Sequence, residues 1–128
     1  MSYYFAKTIS ASFDDAVSRT REALKAEGFG VITEIDVQKT LKTKIDVEFR
    51  PYLILGACNP AMAHQALEVE DKVGAMLPCN VVVQERAQGS VEIAAIDPVE
   101  SMQAIGNSAL TEKAAEVATK LKSVLERI

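Results

Sequence analysis

The sequence predicts an α+β domain of two layers, a mainly antiparallel sheet packed on two long helices. Three observations carry that expectation. Residues 13–27 space their apolar side chains at helical intervals behind a hydroxyl cap, Ser12. Tyr52 to Cys58 is an unbroken apolar run after Pro51, the pattern of a central strand. The β-branched triplet Val81-Val82-Val83 and the run Val91 to Ile96 flank Gln88-Gly89, which reads as a hairpin. The order along the chain is β-α-β-(α)-β-α-β-β-α.

Each element has its own local signature. Tyr3 to Thr8 is rich in aromatic and β-favouring residues and reads as the first strand. Ser12-Phe13-Asp14-Asp15 sets an acid three residues after the cap. Phe13, Ala16, Val17, Thr20, Ala23 and Leu24 then form one stripe, and Gly28 supplies the left-handed stop. Val31 to Asp36 predicts a second strand near the sheet surface. Asp36 caps a short helix from Val37 to Ile45, with Val37, Leu41 and Ile45 at helical offsets.

The central strand of residues 52–58 is expected to turn Leu53 and Leu55, or else Ile54, toward the core. Asn59-Pro60 provides a cap and a proline at the first helical position, opening a third helix. Ala63, Ala66, Leu67 and Glu70 mark one face of it. Pro78 precedes the strand Cys79 to Glu85, and Asp97-Pro98 repeats the cap-plus-proline start. Ala109 to Ile128 reads as a long closing helix, whose Val117, Leu121 and Val124 pack on the sheet. No repeat, low-complexity tract or Gly/Ser/Pro-rich linker divides the chain, so residues 1–128 read as a single domain.

Composition narrows the function classes. The 14 Lys and Arg residues against 18 Asp and Glu give a net charge of −4. An acidic balance is the wrong sign for a nucleic-acid footprint. Four Phe, three Tyr and no Trp leave little for a base-stacking platform. Lys39, Lys42 and Lys44 make a local basic face, but Asp36, Asp46 and Glu48 flank it. No apolar run approaches the ~20 residues of a membrane span, and the first ten residues lack the pattern of a signal peptide. A cytoplasmic protein is expected, with both cysteines as free thiols at rest. The motifs GxGxxG, GxxxxGK[ST], HExxH and GxSxG are absent, which leaves nicotinamide, P-loop, zincin and α/β-hydrolase readings unsupported.

The densest set of chemically special residues is Gly56-Ala57-Cys58-Asn59-Pro60. Cys58 ends a strand one residue before a helix cap, where the helix dipole favours a thiolate. The plainer alternative is a small buried hydrophobe finishing an apolar strand. Cys79 begins a strand; if the two strands are antiparallel, both thiols fall at one end of the sheet. Such a pair can form a reversible disulfide, hold a soft metal ion, or act as nucleophile and resolving thiol. His64 is a base or third ligand on the functional reading and a surface histidine on the default one. Met62 completes a soft set with Cys58, against its default role as packing filler.

The run Glu34-Ile35-Asp36-Val37, Thr40-Leu41-Lys42 and Phe49-Arg50-Pro51-Tyr52-Leu53-Ile54-Leu55-Gly56-Ala57-Cys58-Asn59-Pro60 resembles the signature of the domain of unknown function 302 family. Leu77-Pro78-Cys79-Asn80-Val81-Val82-Val83 and Asp97-Pro98 continue the pattern. The resemblance spans about residues 3–127. It implies a β-α-β(4)-α fold of the TATA-binding-protein-like kind with short extra helices, commonly a homodimer, and no DNA binding. It brings no settled activity and no catalytic residue. Cys58, Asn59, Pro60, Pro78 and Cys79 fall on its motif, as does Arg50, which is placed to pair an acid or bind an anionic ligand.

Three functions stand open from the sequence. The leading one is a non-enzymatic binding or sensing module around Cys58 and Cys79, with Asn59, His64 and Arg50 as further ligand-binding candidates. Its ligand is a soft metal ion, a sulfur species or a small organic molecule. The others are an enzyme with Cys58 as nucleophile, and a dimeric interaction domain whose cysteines merely pack.

Overall fold

The computed structural model describes residues 2–128 and realises the α+β expectation. Its elements are β1 (Tyr4–Ser10), α1 (Phe13–Ala26), β2 (Gly30–Asp36), α2 (Val37–Ile45) and β3 (Tyr52–Cys58). They continue as α3 (Pro60–Val69), β4 (Cys79–Ala87), β5 (Ser90–Ile96), α4 (Pro98–Met102) and α5 (Ser108–Arg127). The first strand is longer than the sequence indicated, running on to Ser10, and α4 is a short helix not resolved by periodicity. No described helix is long and apolar enough to cross a membrane.

The five strands form one sheet in the order β1-β5-β4-β3-β2, every pair antiparallel. Because side chains alternate across a strand, the register sorts them cleanly onto two faces. Leu53, Leu55 and Ala57 of β3, Val81 and Val83 of β4, and Val91, Ile93 and Ala95 of β5 all point to one face and are buried. That face carries α1 and α5, which contribute Ala16, Leu24, Leu121 and Val124 to the same cluster. Ile54 lies on the other face, which settles the choice the sequence left between Leu53/Leu55 and Ile54.

Local chemistry explains the helix starts. Ser12 Oγ accepts from the Asp15 amide at 3.1 Å, Asp36 Oδ1 from the Lys39 amide at 2.9 Å, and Asn59 Oδ1 from the Met62 amide at 3.2 Å. Each side chain satisfies one of the amides a helix start leaves without a partner. Gly28 ends α1 in the left-handed region at φ 85°, a conformation that costs a residue with a Cβ more than glycine. Ion pairs tie α1 and its C-terminal cap to their neighbours: Arg21 to Glu34 at 2.9 Å and Arg127 to the largely buried Glu27 at 2.6 Å.

Gly56 meets a different demand. A Cβ there would lie 2.0 Å from Thr33 Oγ1 and 2.7 Å from Pro78 Cγ. The neighbouring strand and the loop before β4 therefore close over the backbone of β3 at this residue.

Two parts of the helical pattern differ from expectation. Leu67, read as part of the inner face of α3, is 42% exposed, while Ala66 is buried. The inward positions are Met62, Ala63 and Ala66, so the stripe is rotated by one residue. In α2 no residue is fully buried, and Ile45 is 63% exposed, because that helix rides on the margin of the sheet. Leu55→Ala, which empties a fully buried site, is expected to cost about 2–5 kcal/mol. Leu67→Ala should stay within about 0.5 kcal/mol. Urea unfolding of both variants, with equal dependence on denaturant, checks the difference.

Candidate functional site

The antiparallel pairing of β3 with β4 places Ala57 opposite Cys79, so the end of one strand and the start of the other share one end of the sheet. Cys58 is the next residue along β3 and has the opposite strand parity from Ala57. The two cysteines are therefore diagonal neighbours and not a directly opposed pair; both are free. Cys79 is buried in the main core, whereas Cys58 is half-buried where the chain leaves the sheet for α3.

Both cysteines border one cavity of about 50 Å³. Its floor is the sheet end, with Ala57 and Cys79, and its roof is the inner side of α3, with Met62, Ala63 and Ala66. Met102 of α4 and Leu110, Ala114 and Val117 of α5 close the far wall. The void lies on a seam between two clusters. Ala57 and Cys79 belong to the main core, while Ala66, Met102, Leu110 and Ala114 belong to a smaller core under α3 and α4. Asn107 fastens that roof: its Nδ2 donates to the Val69 carbonyl at 3.1 Å while its Oδ1 accepts from the Ala109 amide at 3.1 Å, capping α5.

The walls are almost wholly apolar. Of the polar groups on them, Asn59 is engaged in capping α3, and Lys113 Nζ donates to Gln65 Oε1 at 3.1 Å. Burial pushes the Cys79 thiol up from an ordinary 9.0 to about 11, and the neighbouring Cys58 adds to the shift. An apolar surrounding stabilises the neutral form of a thiol, so Cys79 is protonated at neutral pH.

His64 and Arg50 do not join this group. His64 projects from the outer side of α3, 74% exposed, with Nε2 3.2 Å from Glu68 Oε1. The offset of four residues from Pro60 is right for one helical turn, but it rotates the ring away from the roof of the cavity. Arg50 precedes the opposite end of β3, roughly 20 Å along the strand from Cys58 at the usual rise per residue. Its Nε donates to Gln84 Oε1 at 2.8 Å, and its guanidinium lies 4.4 Å from the centre of the Phe49 ring. Gln84 Nε2 in turn donates to Glu92 Oε1 at 3.0 Å, making a polar row that joins the segment before β3 to β4 and β5. Arg50 thus secures the sheet far from the cysteines and meets an amide there instead of an acid.

Sequence reasoning missed the far wall of the cavity. Met102 comes from α4, a helix of five residues and too short for periodicity to register, and Leu110 from the first turn of α5, ahead of the stripe read at Val117, Leu121 and Val124. Among the described residues, no three His, Cys, Asp or Glu side chains gather in a way that would hold a metal ion.

The model of the family described as Domain of unknown function DUF302 matches residues 5–128. The chain belongs to the DUF302 family. A solved relative, the uncharacterized conserved protein DUF302 from Bacillus stearothermophilus, has the same fold, with a TM-score of 0.92 at 31% identity. The similarity covers 99% of this chain and 98% of that one. No curated protein matches the chain. The DUF302 assignment agrees with the resemblance carried by the motifs around Cys58 and Cys79.

The buried thiol makes folding sensitive to alkali. The unfolded chain ionises Cys79 around its ordinary 9.0, while the folded chain holds it neutral up to about 11. Its contribution to stability is then complete below pH 9.0 and is lost as pH rises to about 11. The full loss amounts to about 2–3 kcal/mol. Urea unfolding between these pH values should show the decline in the wild type and a flatter profile in Cys79→Ala.

Proposed function

We propose that this DUF302 domain is a ligand-binding or thiol-sensing module, not a catalyst, acting in the reducing cytoplasm through the cavity beside Cys58 and Cys79. The observation that carries this reading is that both cysteines border one apolar void roofed by a separate small cluster of helices. A space of this kind accepts a small apolar or polarisable ligand, as empty apolar cavities in proteins do. Catalysis by Cys58 is less well supported by the arrangement. A nucleophile needs a base within reach, yet His64 is turned to solvent and Cys79 is held protonated.

Xenon tests the reading, because it enters apolar cavities without needing a polar partner. Amide NMR spectra under xenon pressure should show shifts centred on Ala57, Cys79, Met102 and Ala114. Ala114→Leu, which fills the space, should abolish them with the fold retained. Absence of any shift in the wild type rejects the cavity as a binding site.

The assembly we propose is a homodimer formed through the open face of the sheet. Tyr4 and Ile35 lie on that face, and both are large, apolar and exposed; Ile45 and Val47 are exposed beside it. Light scattering should give twice the 13.9 kDa chain mass, and Ile35→Lys should shift it to the single-chain value. A single-chain mass for the wild type at all concentrations excludes the dimer.

A further inference from the structure

We propose that the cavity is a site for one soft monovalent metal ion of the copper(I) type, held by sulfur from Cys58, Cys79, Met62 and Met102. The inference rests on the binding role given to the cavity above and names its ligand.

Size is the first argument. Sites for organic ligands measure about 300–1,000 Å³, whereas this one is about 50 Å³. An organic molecule of ordinary size does not fit, and a single ion with its bonds does. Chemistry is the second. No carboxylate or imidazole borders the cavity, and its one side-chain amide oxygen, on Asn59, accepts from the Met62 amide, so hard cations lack their usual oxygen ligands and zinc its usual nitrogen partners. Thiolate and thioether sulfur are the donors that select copper(I).

The four sulfur residues come from four separate elements. Cys58 ends β3, Cys79 opens β4, Met62 lies in the first turn of α3 and Met102 closes α4. Both cysteines of the chain and two of its four methionines thus meet at one void. Packing filler alone accounts for a methionine in a core, but it gives no reason for both cysteines and two methionines to border the same cavity.

Charge sets the protonation of the loaded site. One thiolate and one monovalent cation sum to zero, which an apolar cavity tolerates; a second thiolate would add a negative charge there, and the ammonium of Lys113 on the wall is directed to exposed Gln65. Binding therefore breaks one S–H bond, whose sulfur becomes the thiolate ligand, while the other three sulfurs donate lone pairs to the ion without losing a proton. Copper stays in the +1 state throughout, and the proton passes to solvent. Cys58, half-buried beside the surface, is the thiol that loses it, while Cys79 remains a neutral donor.

The test is an anaerobic titration of the full chain with copper(I) against a chromophoric chelator, with proton release followed in weak buffer. One ion per chain and one proton per ion are expected. Met62→Leu and Met102→Leu keep the side-chain volume nearly constant. Each should weaken binding by about 10–100-fold, the scale on which single groups tune metal affinity, with the unfolding midpoint little changed. Cys58→Ser should abolish proton release.

Unaltered affinity in both methionine variants would mean that an exposed thiol alone captures the ion, and would overturn the proposal. Failure of the wild type to compete with the chelator, or release of two protons, would also overturn it. Xenon uptake without copper binding would reject the metal while leaving the cavity as a binding site; failure of both would reject the two readings together.

Discussion

The register between β3 and β4 is the constraint on which the rest of the structure depends. Leu55 opposite Val81 and Ala57 opposite Cys79 commit alternate residues of two central strands to a single face. A slip of one residue would send Leu53, Leu55, Val81 and Val83 to the open face and strip α1 and α5 of their contacts. Gly56 helps to hold this register. It is the residue at which Thr33 and Pro78 lie over the strand, and a Cβ displaced onto that spot has no room. The same pairing fixes where β3 stops, and so where Asn59 starts α3 and where the two thiols end up.

The two faces of the sheet divide the work. The covered face is close-packed around Val83, Ile93 and Leu121, all fully buried. The open face is held by polar contacts, with Gln84 linking Arg50 on one side to Glu92 on the other. Gln84 is itself buried despite its polarity, and both ends of its amide are satisfied, which removes the penalty of burying it. The arginine that the sequence offered as a ligand-binding residue thus gives its Nε donor to Gln84 and stacks its guanidinium on Phe49.

How much of this was legible in the sequence varies with the length of the signal. The long elements were plain, because α1 and α5 each repeat their apolar stripe over several turns and β3 is apolar throughout. The hairpin was legible from Gln88-Gly89 between two β-rich runs. The antiparallel meeting of Cys58 and Cys79 was foreseen as a condition, and the pairing of Ala57 with Cys79 fulfils it. Strand order was not legible from the residues, because local pattern says nothing about which strand lies beside which. The face of α3 was misread at Leu67 because a ten-residue helix gives barely three turns, and small alanines mark the buried side weakly. His64 and Arg50 carried reactive side chains, but residue type says nothing of direction. One points to solvent and the other to the far end of the sheet.

The cavity itself follows from how the smaller core is built. Its roof rests on Ala63 and Ala66 of α3, and its far wall on Ala114 of α5. Alanine at these positions is too small to fill the gap between the elements. At about 24 cal/mol per Å³, a void of about 50 Å³ costs on the order of 1 kcal/mol. That is a tolerable fraction of the 5–15 kcal/mol typical of a folded domain, yet a single leucine in place of Ala114 would remove much of it. The composition of this wall therefore leaves stability unclaimed at the one place where both cysteines meet the interior. Small residues around a void that both cysteines border are what a core optimised for packing would discard.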